Sequence, residues 1–412
     1  MGALGESEKP ARVDALIITA IKEEFDELLK VDAGASPGSR WDVRLGPTGL
    51  KVAFRTFLAA KGGSLSIAVA QAAGMGGVET ASVAGSLIAA YSPQCIAMCG
   101  VCAGRRGEVN LGDVLIADRV WMYDAGKLKV EIDDADKSRI QREQGDIETH
   151  VLRADWKQRA EDFTIPPEAD EWLRTRPRTY EAQANWILER LVKGEDPRSH
   201  ADRASKCPDY GKALSLLWKQ KWVKNGALKL TASGRKRIDS LLHLHPDGLP
   251  EPAPFKVHVG PIGSGNKVIQ DAEIFDRLSA SIRKVLGVEM EAAAVGAVAH
   301  VHRDNVRYMV VMKGVMDHAD ELKSDNIKTF AARASAECLI AFLRANLPPL
   351  GSGFGLRSTT PRAALTSNPC STGSLGPGRR VGARRSGLSS SREMRVTGGV
   401  TSRPATVFAK TS

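Results

Sequence analysis

The chain has 412 residues, 42% of them hydrophobic, enough for two domains with a buried core, and it contains no run of about 18 apolar residues that would span a membrane. Its net charge of +10 suggests nucleic acid until it is located: beyond residue 350 lie ten basic residues and one acid, leaving 48 basic against 47 acidic, about +1, for the rest. Six cysteines (95, 99, 102, 207, 338, 370) show no disulfide or paired zinc-site spacing, so free thiols, a cytoplasmic setting, and neither metal nor organic cofactor are expected.

The opening MGALGESEKPARVD is polar, without a signal-like apolar run, and Glu6 spoils a myristoylation motif. Residues 13–20 read as a short buried strand, followed by a helix in IKEEFDELLKV. Shorter strands are predicted near 41–45, 51–57 and 65–71, and GMGG at 74–77 opens an apolar helix to about 91. QCIAMCGVCAG reads as a buried strand closing in a glycine turn. Its Cys99 and Cys102 have redox spacing, but no helix follows, so they count as small hydrophobes. GDVLIADRVWMYD is a long strand, and the stretch from 127 looks irregular. The alternation resumes at FKVHVGPIGSGNKVI and runs through VRYMVVMKGV to a final helix at about 327–346. This order predicts an α/β fold, a mixed, largely parallel central sheet flanked by helices, formed by 11–150 and 252–347. Residues 348–412, rich in Gly, Ser, Pro and Arg, read as a disordered basic tail.

Between 151 and 251 the texture changes, with five of the seven tryptophans. TYEAQANWILERLV and YGKALSLLWKQKW have helical periodicity, WVKNGALKLT suggests a hairpin turning at Asn225–Gly226, and ASGRKRIDSLLHL returns to helix. This order predicts an inserted, mainly helical, winged-helix-like domain that ends in the linker PDGLPEPAP. Its candidate recognition helix, 210–221, carries Lys212, Lys219 and Lys221, with Lys224 and Lys229 on the wing. Nucleic-acid binding stands beside the plainer reading of solvated lysines on an interaction module.

Three acids each fall just past an apolar β-type run: Glu24 after DALIITA, Glu291 in LGVEMEAAAVG and Asp317 in YMVVMKGVMDHAD. Strand ends are where open α/β sheets bind ligands, and converging carboxylates suit glycosidic cleavage, one acid protonating the leaving group and another activating water. Singly each has a plainer reading: Glu23 and Glu24 as first-turn acids on a helix dipole, Asp317 as a turn residue, and Glu289 or Glu291 as a buried structural partner.

The motifs IITAIKEEF, AGMGGVETA, CGVCAG followed by LGDVLIAD, VEMEAAAV and KGVMDHAD, in this order, resemble the purine nucleoside phosphorylase/nucleosidase superfamily over about 13–127 and 255–347. They are most similar to its hydrolytic branch, the 5′-methylthioadenosine/S-adenosylhomocysteine nucleosidases. The resemblance implies that Glu24 activates the attacking water and that Asp317 protonates or hydrogen-bonds purine N7. It also implies that Glu291 holds the ribose hydroxyls while Met290 packs on the sugar. Gly76, Cys102, Ala103 and Gly104 would give close approach to the ligand, with Val268 beside the base, and a homodimer is implied. Where the family often has Ser or Thr, this chain has Val101, Cys102 and Met316. The insertion resembles effector-like nucleosidases linked to bacterial signalling and defence modules.

The expected activity is therefore hydrolytic release of adenine from a small-molecule nucleoside. A phosphorylase would recruit Lys22, Arg105 and Arg106 for phosphate, yet Glu24 would repel the dianion. A nucleotide-depleting effector would set Arg105 and Arg106 against a 5′-phosphate chain. A non-catalytic nucleoside-sensing DNA-binding regulator is the remaining alternative.

Overall fold

The computed structural model describes residues 12–132, 139–165 and 176–350, so the predicted tail lies almost wholly outside the described residues. Strand β1 (Ala15–Thr19) is buried at every residue because it runs through the middle of the sheet, parallel to β4 (Ser64–Gln71) on one side and to β5 (Cys95–Gly104) on the other. Its alternate residues feed two cores. Ala15 and Ile17 face α1 (Lys22–Leu28), α3 (Ala154–Glu161) and α10 (Lys328–Asn346), whereas Leu16 and Ile18 face α2 (Gly77–Tyr91) and α9 (Ala292–Val301). Outside β4, β3 (Lys51–Leu58) and β2 (Asp42–Leu45) continue as an antiparallel meander.

On the other side of β5 the sheet closes. Strand β12 (Tyr308–Asp317) pairs with β5, β6 (Val114–Met122) with β12, β10 (Val257–Ser264) with β6, and β11 (Gly287–Glu289) with both β10 and β5. The result is a small barrel with an open arm. This corrects the largely parallel sheet predicted from sequence: five pairings are parallel, and five, β2–β3, β3–β4, β5–β11, β6–β12 and β6–β9 (Thr149–Val151), are antiparallel. Closure demands close backbones: a Cβ on Gly104, which pairs with Gly287, would lie 2.6 Å from both Val109 and Val315.

The stretch read as irregular from 127 holds an antiparallel hairpin, β7 (Gly126–Ile132) with β8 (Arg139–Gly145). An additional helical region comprises α4 (Tyr180–Val192), α5 (Arg203–Lys206), α6 (Tyr210–Lys219) and α7 (Ala232–Leu244) around a core of its own that includes Ile187, Leu188, Leu217 and Ile238. The hairpin predicted between α6 and α7 is smaller than two strands: one bridge, Val223 to Leu230, closes the turn at Asn225–Gly226. Buried Asp113 ties the two flanks of this region together. It accepts hydrogen bonds from Arg176 on one flank (3.4 Å) and from the Lys256 amide on the other (3.0 Å), with His258 Nε2 at 3.0 Å. Among the described residues no helix is long and apolar enough to cross a membrane.

Candidate active site

Glu24, Glu291 and Asp317 line one cavity of about 180 Å3, together with Met290, Cys102, Ala103 and Val268. Each acid stands at the carboxyl end of a strand: Glu24 in the first turn after β1, Glu291 just past β11, and Asp317 at the last residue of β12. Two other expected residues are not cavity lining. Gly76 acts at one remove, its amide donating to Glu291 Oε1 at 2.9 Å, and the Gly104 carbonyl faces His318 Nδ1 at 2.8 Å. Val268 is 65% exposed and so sits at the mouth.

The helix-terminus reading of Glu24 is half right. Its Oε2 accepts from the amides of Ala20 (2.8 Å) and Ile21 (3.2 Å) at the start of α1, while Oε1 reaches across to the Val101 amide on β5 (2.8 Å). Three backbone donors from two elements thus fix a carboxylate that is 3% exposed. The neighbouring glycine makes room for it. A Cβ on Gly100, whose φ is +153°, would lie 2.3 Å from Glu24 Oε1.

Asp317 is likewise both turn residue and cavity wall. Its Oδ1 accepts from the Ala319 amide at 2.7 Å, and Ala319 takes a left-handed φ of +56° to make that turn. Oδ2 has Lys323 Nζ at 3.2 Å, but the contact lacks hydrogen-bond geometry, and this buried oxygen has no other partner among the described residues. The next residue, His318, is buried, and that burial lowers its pKa, with help from Arg106.

Beneath Glu291 lies a group that sequence reasoning missed. Lys313, fully buried in β12, places Nζ 3.0 Å from Glu289 Oε2 and 3.9 Å from Glu291 Oε2. Burial opposes its charge, but Glu289, Glu24 and Glu291 outweigh that and raise its pKa. Glu289 is the structural member of the pair, accepting from Ser264 Oγ and from the Ala292 and Glu291 amides. Burial pushes Glu291 up to about 7. Lys313 opposes the rise, Glu289 adds to it, the Gly76 amide opposes it, and Glu24 adds to it.

Lys267, Lys323, Lys328 and Tyr123 also line the cavity, and the Tyr123 hydroxyl has no partner among the described residues. The cations first considered for phosphate lie elsewhere: Lys22 pairs with Asp26, Arg105 with Asp276 at 2.7 Å, and Arg106 with Asp320 at 2.7 Å and Glu181 at 3.2 Å. None of the three lines the cavity. Among the described residues no three His, Cys, Asp or Glu side chains form a group that could hold a metal ion.

Residues 14–186 match the sequence model of the phosphorylase superfamily. An uncharacterized protein of Sinorhizobium fredii, y4jS, is 24% identical over 266 residues, 65% of this chain and 46% of that protein. A death domain-containing ATP nucleosidase of Amphimedon queenslandica is 26% identical over 271 residues, 65% of this chain and 37% of that protein. The chain thus spans less than half the length of either curated relative. Among solved structures, the Helicobacter pylori 5′-methylthioadenosine/S-adenosylhomocysteine nucleosidase is 15% identical, with a TM-score of 0.44 over 81% of this chain and 98% of its own. The Streptococcus pyogenes S-adenosylhomocysteine nucleosidase is 18% identical, also at 0.44, over 84% of this chain and 100% of its own.

Proposed function

We propose that the chain is a purine nucleosidase, hydrolysing the N-glycosidic bond of an adenine nucleoside such as methylthioadenosine or adenosylhomocysteine to release free base. The observation that carries this reading is the meeting of Glu24, Glu291 and Asp317 around one cavity. Glu24, immobilised by three amides, orients the attacking water and takes its proton, a contribution of about 10²–10⁴ for a positioned base. Glu291, steadied by Gly76, accepts hydrogen bonds from the ribose hydroxyls, and its negative charge gains in value as the sugar becomes oxocarbenium-like. Asp317 lines the cavity and leaves Oδ2 without a hydrogen-bond partner among the described residues, and a proton passed from it to purine N7 lets the base leave neutral. Met290 packs on the sugar, with Val268 beside the base.

Water rather than phosphate is the favoured nucleophile because a dianion would lie against Glu24. Purified protein with methylthioadenosine, assayed chromatographically with and without phosphate, is expected to release adenine equally in both. Strict phosphate dependence would establish phosphorolysis instead, and no turnover of any purine nucleoside or nucleotide would leave a sensor.

One observation favours a second reading, a nucleotide substrate. Lys267, Lys323 and Lys328 line the cavity where an anionic 5′ substituent could draw Lys323 from Asp317 and Lys328 from Glu23, each 3.2 Å away, and the Amphimedon queenslandica relative is named an ATP nucleosidase. Comparing ATP with methylthioadenosine as substrate decides between them. The homodimer and the cytoplasmic setting belong to the same proposal. Exposed Met75, Val78 and Val301 support the first, and the five cysteines among the described residues, all free and buried, support the second.

A further inference from the structure

We propose that the inserted helical region docks on the sugar–phosphate backbone of duplex nucleic acid through a basic face formed by α6, the turn after it and the 223–230 hairpin. From Tyr210 to Ile238 the chain contains no Asp or Glu and eight Lys or Arg. Helix α6 divides cleanly: Ala213 and Leu217 enter the core, while Lys212, Ser215 and Lys219, spaced three and four apart, are exposed on the opposite face. Lys221 follows at a left-handed φ of +56°, which turns the chain from the helix into the hairpin. There the Lys224 amide donates to the Lys229 carbonyl at 2.8 Å, fixing two more exposed lysines on one short loop.

Among the described residues none of these five lysines has an ion-pair partner, whereas Arg235 and Arg237 are engaged by Asp239 and Glu181. Five exposed, unpaired charges on a stretch of chain that carries no acid repel one another, and a polyanion laid across them would relieve that repulsion. A ten-residue helix about 10–12 Å across fits a major groove about 12 Å wide, and the hairpin beside it reaches the flanking phosphates. Lysines acting as point charges carry affinity rather than base readout, so binding should be sequence-tolerant and strongly salt-dependent.

The test is fluorescence anisotropy of the full chain with a labelled 20-base-pair duplex of mixed sequence. Four to five phosphate contacts give a log–log salt slope of about −4, hence a loss of a few hundredfold between 50 and 200 mM salt. Lys219→Gln/Lys224→Gln should flatten the slope by about 2 and weaken binding at least tenfold at 50 mM, with the melting temperature and adenine release unchanged. Lys212→Gln/Lys229→Gln should do the same and serves if the first pair does not fold. No binding at 50 mM, or both variants binding as the parent does (which would assign the contact to the basic residues beyond 350), overturns the proposal. Polyglutamate competing as well as duplex would also overturn it, in favour of an acidic protein partner.

Discussion

Replacing Lys313 by methionine tests the electrostatic reading of the site. The substitution nearly keeps side-chain length but removes the one cation that bridges Glu289 and Glu291 where the lysine is fully buried. Removing one partner of a buried ion pair costs about 3–5 kcal/mol, because the remaining charge is left uncompensated. For a folded body of about 320 described residues the unfolding entropy is roughly 0.7 kcal/mol/K, so the melting temperature should fall by about 4–7 °C at pH 8. Glu291 already has its pKa raised to about 7, and loss of Lys313 raises it further. An acid raised in the folded state contributes stability that is fully present below its unfolded pKa, near 4.5, and is lost as pH rises through the folded value. The deficit should therefore be largest at pH 8 and shrink by more than half at pH 5. Circular dichroism melts of both proteins across this range provide the measurement. A deficit under about 1 kcal/mol at pH 8, or one that does not change with pH, would refute the argument, and adding Glu289→Gln to the variant should recover part of the loss.

Gly100→Ala drives a methyl to 2.3 Å from Glu24 Oε1, so the carboxylate must release the Val101 amide; adenine release should fall at least about 100-fold, measured under saturating substrate. Asp113→Ala should destabilise by about 3 kcal/mol at pH 7 in a denaturant titration, since His258, Arg176 and the Lys256 amide lose a common acceptor. Burial opposes the Asp113 charge, but His258, the Lys256 and Asn110 amides and Arg176 prevail and lower its pKa, so its contribution is present above pH 3.8 and disappears as pH falls through the lowered value. For the wild type, kcat/KM should rise with pH around 7 as Glu291 ionises, while the same ionisation erodes stability between about pH 4.5 and 7; Glu291→Gln should remove both dependences.

What was legible in the sequence follows from burial. Strands β1, β5 and β12 are long apolar runs because they lie inside the sheet, and the acids that end or follow such runs stand out against them. Barrel closure was not legible, since β11 is three residues long and carries no periodicity. The β7 strand did alternate, with Leu128 between Lys127 and Lys129 and Val130 between Lys129 and Glu131, but its partner RIQREQG has too few apolar residues to read as a strand. Lys313 left a usable signal: a cation inside YMVVMKGVMD can be buried only with an acid partner, so the run itself called for one. Lys323 and Lys328 left none, because a lysine in a polar connection looks the same whether it faces solvent or a cavity.

The segment from Asp317 to Lys328 joins the two parts of the described chain. It bears Asp317, Lys323 and Lys328, all lining the cavity. On the barrel side His318 is anchored to the Gly104 carbonyl, and Arg106 holds Asp320. On the helical side the same Arg106 meets Glu181 of α4, Arg237 of α7 meets Glu181 at 2.7 Å, Gln220 after α6 donates to the Glu321 carbonyl, and the Tyr180 amide donates to Asn326. Exposed ion pairs taken singly contribute little, about 0–1 kcal/mol each. Here two arginines share one carboxylate and bind three chain segments at once, so displacement of α4 would have to break both contacts at Glu181 together. The geometry of Asp317 is thus a joint property of the barrel and the additional helices, and a site built from strand ends alone would leave the wall that carries Lys323 and Lys328 without support.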